Sequence, residues 1–152
     1  MPGTGSVDRA AGTVADVLSP TESTVRLFLH VLAAAVWVGG QFALAGVVPV
    51  LRRQAPESTK AVARAFAKLA WPAFAVLVVT GIWNLVAIDV TDTHTDYQVT
   101  LFVKIAVSMV AATAVAVHSV GRSKVALALG GAIGAIASVA ALFLGILLHS
   151  GR

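Results

Sequence analysis

Four ionisable side chains interrupt the long apolar stretches of this sequence, and they are the first candidates for chemistry. They are His30, Lys104, His118 and His149. A charged or polar group at membrane depth costs free energy, so a residue of this kind is a candidate functional residue. Imidazole is also the commonest metal ligand among side chains. Whether these groups can act together depends on the elements that carry them.

The elements that must position them are four apolar stretches. Each is long enough to cross the hydrocarbon of a bilayer, which takes roughly 20 helical residues. The 152-residue chain is 58% hydrophobic and 12% charged, with a mean hydropathy of +0.89, outside the range of a soluble globular protein. We predict an all-α membrane protein, a four-transmembrane-helix bundle with up-down-up-down topology. The predicted units are a flexible tail over 1–25 and one domain over 26–152, with helices at about 26–52, 57–88, 97–121 and 124–150.

The charges of the links predict an orientation. The stretch 52–68 holds five basic residues against one acidic residue, and 121–124 holds two more basic residues. By contrast, 89–98 holds three aspartates and no lysine or arginine. The positive-inside rule therefore places both basic links in the cytoplasm and both termini outside, in a multi-pass protein of the inner (plasma) membrane. The net charge of +4 lies beside apolar spans, which favours contact with lipid headgroups over nucleic acid.

The first span carries a polar stripe. Trp37 and Gln41 fall within roughly 20° of His30 on a helical wheel. We expect this stripe to face the bundle interior, with Gly39 and Gly40 allowing close packing beside it. His30 would then either hydrogen-bond to a neighbouring helix or serve as a ligand or proton carrier.

Polar side chains of the other spans are predicted to reach the same outer half of the bundle. Thr80 and Asn84 lie one turn apart and can hydrogen-bond across the bundle. Lys104 lies early in the third span, and it either joins this cluster or reaches out to the aspartates of the preceding link. His149 either completes the cluster or only caps the last helix.

Two further histidines have weaker claims. His94 stands between Asp92 and Asp96, an arrangement that could catch a divalent cation loosely or could be an ordinary solvated loop. His118 lies one turn from Arg122, as expected for an interfacial residue at the cytoplasmic end.

The fourth span has a pattern typical of helix packing. Gly130, Gly134 and Ser138 recur at four-residue spacing, which lets a neighbouring backbone approach closely. No cysteine is present, so disulfides and thiolate metal sites are excluded.

Three short motifs resemble the copper resistance protein D (CopD) family. They are His-x6-Trp-x-Gly-Gly at residues 30–40, Thr-Gly-x-x-Asn at 80–84, and the early Lys104 of the third span. The resemblance covers the membrane portion loosely, and larger members of that family carry more helices. It implies copper uptake or tolerance in the bacterial envelope, with copper received at the outer face by His30, helped by His149 and His94.

The same helices are similar to the HemJ-type membrane protoporphyrinogen oxidases. In that family a first-helix histidine and a third-helix lysine are associated with haem, and His30 and Lys104 stand in those places here. This similarity implies a b-type haem with His30 as one axial ligand and His149 or Lys104 opposite. The further motifs of that enzyme are not convincingly present.

Three functions are therefore expected, in this order. The first is copper handling, with a copper-binding periplasmic or extracellular protein as a partner. The second is b-type haem binding for electron transfer, sensing or storage. The third involves no metal: a helper subunit, packed through the glycines of the fourth span against a larger membrane complex or a second copy. Because the sequence lacks a Ser–His–Asp grouping, a carboxylate pair and a phosphate-binding glycine loop, hydrolytic or phosphoryl-transfer catalysis is not expected.

Overall fold

The structure, a computed structural model, describes residues 19–88 and 90–150, and this part of the chain is almost entirely helical. The long helices are α1 (Glu22–Gln54), α2 (Thr59–Val86), α3 (Thr95–Val120) and α4 (Lys124–Ser150), with short 3₁₀ turns at Pro56–Ser58 and Val90–Asp92. All four long helices are long and apolar enough to cross a membrane. The predicted all-α four-helix bundle is confirmed.

The first helix begins four residues before its predicted start, for a local reason. Thr21 is extended and its side chain accepts the backbone N–H of Thr24 at 3.2 Å, which caps the helix. Glu22 follows in the first turn, where an acidic side chain is favourable. Most of the predicted flexible tail, residues 1–18, lies outside the described residues, as do Asp89 and residues 151–152.

The other helix ends also follow local chemistry. Helix α2 starts at Thr59 because the preceding residues, Pro56–Ser58, form a 3₁₀ turn. Helix α3 begins at Thr95, two residues before the predicted start. It ends at Val120 because Gly121 has an extended conformation, with φ −61° and ψ 137°.

The helices pack as two hairpins. Helix α1 lies along α2, α3 lies along α4, and fewer contacts join α1 to α4. Within the first hairpin, residues later in α1 contact residues earlier in α2. His30 contacts Thr80, whereas Gly40 lies against Phe66. Such a register belongs to an antiparallel helix pair. The direction of each helix across the membrane remains a prediction.

Small residues hold the second hairpin together, as predicted from their spacing. Gly130 and Gly134 are buried. A Cβ atom on Gly130 would lie 2.8 Å from the carbonyl oxygen of Ala114, and one on Gly134 would lie 2.7 Å from Cγ2 of Val115. Only glycine allows the two backbones to approach this closely.

Aromatic rings fill the middle of the first hairpin. Trp37 is 5% exposed, and its ring centroid lies 4.7 Å from that of Phe74 and 6.1 Å from that of Trp71. Val38 and Ala70 complete this small buried core. The predicted inward orientation of Trp37 is confirmed.

The adjacent glycines of α1 differ, although both were expected to pack closely. A Cβ atom on Gly40 would collide with the ring of Phe66. Gly39 is exposed, and a Cβ atom there would meet nothing within 4 Å. Successive helical residues point about 100° apart, so only one of the pair can face α2. The packing prediction for Gly39 is therefore wrong.

Candidate functional site

The site centres on His30, which is half-buried between α1 and α2. Its Nδ1 atom lies 2.8 Å from the hydroxyl oxygen of Thr80, a residue that is only 2% exposed. The Cε1 atom of the same ring lies 3.7 Å from where a Cβ on Gly81 would be. That separation is ordinary van der Waals contact, so the imidazole packs against α2 at Gly81 as well as at Thr80.

The hydroxyl of Thr80 selects the tautomer of the neutral imidazole. That hydroxyl donates its only hydrogen to the carbonyl oxygen of Val76, 2.6 Å away in the preceding turn. With its hydrogen placed there, the hydroxyl oxygen accepts from Nδ1 of the neutral ring, and in this tautomer Nε2 carries the lone pair. Within the described residues, Nε2 has no hydrogen-bonded side chain. A histidine held this way resembles a metal ligand whose second nitrogen is fixed by an outer partner.

One turn before His30, Arg26 joins the same two helices. Its Nε atom donates to Oδ1 of Asn84 at 2.7 Å, and its Nη1 atom donates to Glu22 at 3.3 Å. The guanidinium lies 5.9 Å from the ring centroid of Trp83, and the side chain is only 11% exposed. The predicted hydrogen bonds of Thr80 and Asn84 across the bundle are thus both present.

Arg26 was not predicted as a site residue, because it stands at the edge of the first apolar run, where a basic residue is common. One signal could have found it. Arg26 precedes His30 by one turn, and Asn84 follows Thr80 by one turn. In an antiparallel pair, a contact between His30 and Thr80 therefore places Arg26 against Asn84.

Lys104 brings a third basic group to this end of the bundle. It is half-buried on α3, and its Nζ atom lies 3.2 Å from where a Cβ on Gly145 of α4 would be. It lies within electrostatic range of His30. Among the described residues the salt bridge is Glu22–Arg26, and Lys104 has no carboxylate partner. The alternative in which Lys104 pairs with an aspartate of the preceding link is therefore not found.

The remaining histidines are not gathered around His30. His94, the residue before α3, and His149, in the last turn of α4, are both exposed, and their imidazoles make no hydrogen bond within the described residues. Nδ1 of His118 lies 2.5 Å from the carbonyl oxygen of Leu127, near the link between α3 and α4. The last contact agrees with the interfacial role expected for His118.

A separate polar contact joins the two hairpins. Ser138 is 4% exposed, and its hydroxyl oxygen accepts from Nε1 of Trp37 and from Nε2 of Gln41, each at 3.1 Å. From its spacing, Ser138 was predicted to serve packing alone. Its hydroxyl in fact satisfies the indole and amide donors of the α1 stripe.

The donors present limit the chemistry of the site. Over residues 19–88 and 90–150, no group of three or more His, Asp or Glu side chains could hold a metal ion. What the structure offers is one oriented imidazole, with basic side chains from α1 and α3 close by. This combination suits a ligand that needs one nitrogen donor and carries negative charge of its own.

Comparison with known proteins adds no assignment. The chain matches no family model, no curated protein and no solved structure.

Proposed function

We propose that this chain is a multi-pass membrane protein that binds a b-type haem, with His30 as an axial ligand. The proposal rests on the hydrogen bond between His30 and Thr80. This bond fixes the orientation of the ring and leaves Nε2 as the nitrogen that can bind a metal. A bound haem would supply one-electron redox chemistry. The similarity of His30 and Lys104 to the haem-associated residues of HemJ-type proteins agrees with this proposal.

The residues around His30 fit such a cofactor. Haem needs one or two axial ligands and apolar surroundings, and the helices on both sides of His30 are predominantly apolar. Haem also carries two carboxylates, and the basic groups of Arg26 and Lys104 are suitable partners for them. Four-helix bundles commonly hold cofactors between side chains of facing helices. In this arrangement Thr80 orients the imidazole and keeps its hydrogen on Nδ1.

The same surroundings fit a copper ion less well. A copper site takes several nitrogen or sulfur donors, whereas the chain has no cysteine and the described residues bring no set of three donors together. A neighbouring lysine charge also repels a lone cation. Copper handling of the CopD type therefore becomes an outcome that the experiment must be able to detect.

The cellular setting is part of the proposal. We infer the inner (plasma) membrane, with both termini and the haem site toward the outside. Support comes from the exposed basic residues of the links, namely Arg52, Arg53, Lys60, Arg64, Lys68, Arg122 and Lys124. Lysine and arginine in short links favour the cytoplasmic side and contact anionic lipid there.

The decisive measurement is the optical spectrum and metal content of the detergent-purified protein after incubation with haem or with copper. We expect a Soret band at one haem per chain, which His30→Ala abolishes. His118→Ala is the matched control, because this imidazole already contacts the Leu127 carbonyl group at the other end of α3.

Two results would overturn the proposal. Stoichiometric copper without a Soret band would favour the CopD-like function. Neither ligand, together with a larger membrane complex that co-purifies with the chain, would favour the helper subunit.

A further inference from the structure

Arg26 lies at the edge of the first span, yet three side chains fix its guanidinium group. Asn84 fixes its Nε atom, Glu22 contacts its Nη1 atom, and the ring of Trp83 lies against its face. Arg26 also lies four residues from His30 on the same helix, an axial rise of about 6 Å. Arg26 and His30 therefore lie one turn apart on the face of α1 that contacts α2.

The hydrogen bonds of this guanidinium are incomplete. Arginine has five N–H donors in a rigid fork. One is used by Asn84 and one by Glu22, which leaves three without an acceptor among the described residues. A nearly buried cation in an apolar protein needs further acceptors, and an anionic group is the strongest kind.

Among the described residues, the carboxylate that contacts Arg26 belongs to Glu22, whose Oε1 also accepts from Nε1 of Trp83 at 3.2 Å. The side chain of Glu22 is 70% exposed, and its contact with Nη1 is long at 3.3 Å. Exposed ion pairs of this type add little free energy because solvent screens them. A carboxylate that approached the open part of the guanidinium could therefore compete with Glu22.

We propose that Arg26 binds a carboxylate of the haem and that Glu22 competes with it for the guanidinium. This inference rests on the proposed haem function and adds a residue that orients the cofactor through its acidic edge. Arg26 and Lys104, on different hairpins, would then supply positive charge for the two carboxylates, and His30 would supply a nitrogen ligand to the iron. Asn84 and Trp83 act on the ligand indirectly, by holding Arg26 in place.

The test compares haem with its dimethyl ester, which keeps the macrocycle and iron but lacks both carboxylates. Each is titrated into the detergent-solubilised full chain, and the ratio of the two dissociation constants is measured. We expect the unmodified protein to prefer haem by roughly tenfold or more, since charge-assisted hydrogen bonds are among the stronger ones. In Arg26→Gln this preference should shrink at least about threefold.

Glu22→Gln distinguishes an Arg26 that binds a carboxylate of the ligand from a cluster that only joins α1 to α2. If Glu22 competes with the ligand, this substitution should raise the preference for haem over the ester. If the cluster only fastens α1 to α2, Glu22→Gln and Arg26→Gln should instead weaken both ligands equally. Because each protein serves as its own reference, partial loss of folded protein leaves the ratio unchanged. Arg26→Lys, which keeps the charge, should retain more of the preference than Arg26→Gln.

The outcomes distinguish the two proposals. If haem and ester bind equally to the unmodified protein, or if the ratio is the same in Arg26→Gln, Arg26 does not bind a carboxylate, although His30 can still ligate the iron. If neither compound binds, both proposals fail. Arg53→Gln, an exposed arginine of the basic link, should leave the ratio unchanged.

Discussion

The two helical hairpins of this protein associate by different means. Helices α1 and α2 are joined by side-chain hydrogen bonds, from Arg26 to Asn84 and between His30 and Thr80, followed by a cluster of aromatic rings. Helices α3 and α4 are joined mainly by close backbone approach at Gly130 and Gly134, with one side-chain hydrogen-bond contact at their linked end, between His118 and the Leu127 carbonyl oxygen. One hairpin thus concentrates polar groups, and the other gives them a compact neighbour.

This difference suggests a division of roles. Lipid is as apolar as leucine, so membrane helices associate through close packing and through hydrogen bonds rather than through the hydrophobic effect. A small-residue contact is dry and tolerates little change in shape. A polar contact retains donors and acceptors that can serve a ligand. The proposed ligand site therefore lies on the first hairpin, and α3 contributes Lys104 to it.

The largest expected effect comes from breaking the small-residue contact. In Gly130→Leu the new side chain would meet backbone atoms, the carbonyl oxygen of Ala114 at 2.8 Å and the amide nitrogen of His118 at 2.9 Å. Backbone cannot rotate away, so we expect a loss of about 2–3 kcal/mol of unfolding free energy. Reversible unfolding in mixed micelles measures it. Gly46→Leu is the control, because nothing lies within 4 Å of its Cβ position. Equal effects at both glycines would contradict the packing interpretation.

The next largest effect tests the polar contact. Thr80→Val keeps the shape of the side chain but removes the oxygen that accepts from His30. We expect haem to bind roughly 10- to 100-fold more weakly, the usual range for loss of an outer partner of a metal ligand. The measurement is a haem titration followed through the Soret band. Thr80→Ser, which restores the hydroxyl, should recover most of the affinity. If valine binds haem as tightly as threonine, Thr80 does not orient His30.

A smaller effect is expected where the hairpins meet. Ser138→Ala leaves the indole of Trp37 without its acceptor and leaves the Gln41 amide only the longer contact with the Trp37 carbonyl oxygen, at 3.4 Å, which should cost about 1–2 kcal/mol. Unfolding in mixed micelles, followed by tryptophan fluorescence, reports it. Ser119→Ala is the matched control, since that hydroxyl only donates to the Val115 carbonyl of its own helix. In Trp37→Phe the serine substitution should cost less, because one of its two donors is already gone.

Much of the fold followed from local patterns. The four spans and the small-residue contacts of Gly130 and Gly134 could be predicted because hydropathy and four-residue spacing are properties of one segment. The start of α1 was misplaced because the cap at Thr21 lies in a polar stretch that hydropathy does not identify. Gly39 and Gly40 could not be distinguished, since the sequence does not show which of two neighbours faces α2.

The candidate site was predicted only in part. Four polar residues were predicted to lie in one half of the bundle, namely His30, Thr80, Asn84 and Lys104. The first three take part in interhelical hydrogen bonds. His94 and His149 also carry imidazoles, but both side chains are exposed and neither brings a nitrogen ligand next to His30. Arg26 and the acceptor role of Ser138 were missed, because each depends on a partner far away in sequence.

By itself the sequence determined that this chain forms four apolar helices, and which residues among them are costly to bury. Only the tertiary structure decided that the His30 ring bonds to Thr80 and that Arg26 is held beside it. The physical reason is that hydropathy acts within each helix, whereas hydrogen-bond partners depend on the rotation and register of one helix against another. His30 and Thr80 are 50 residues apart, and Trp37 and Ser138 are 101 apart. A pattern within a single helix does not specify which residues pair across such separations in the sequence.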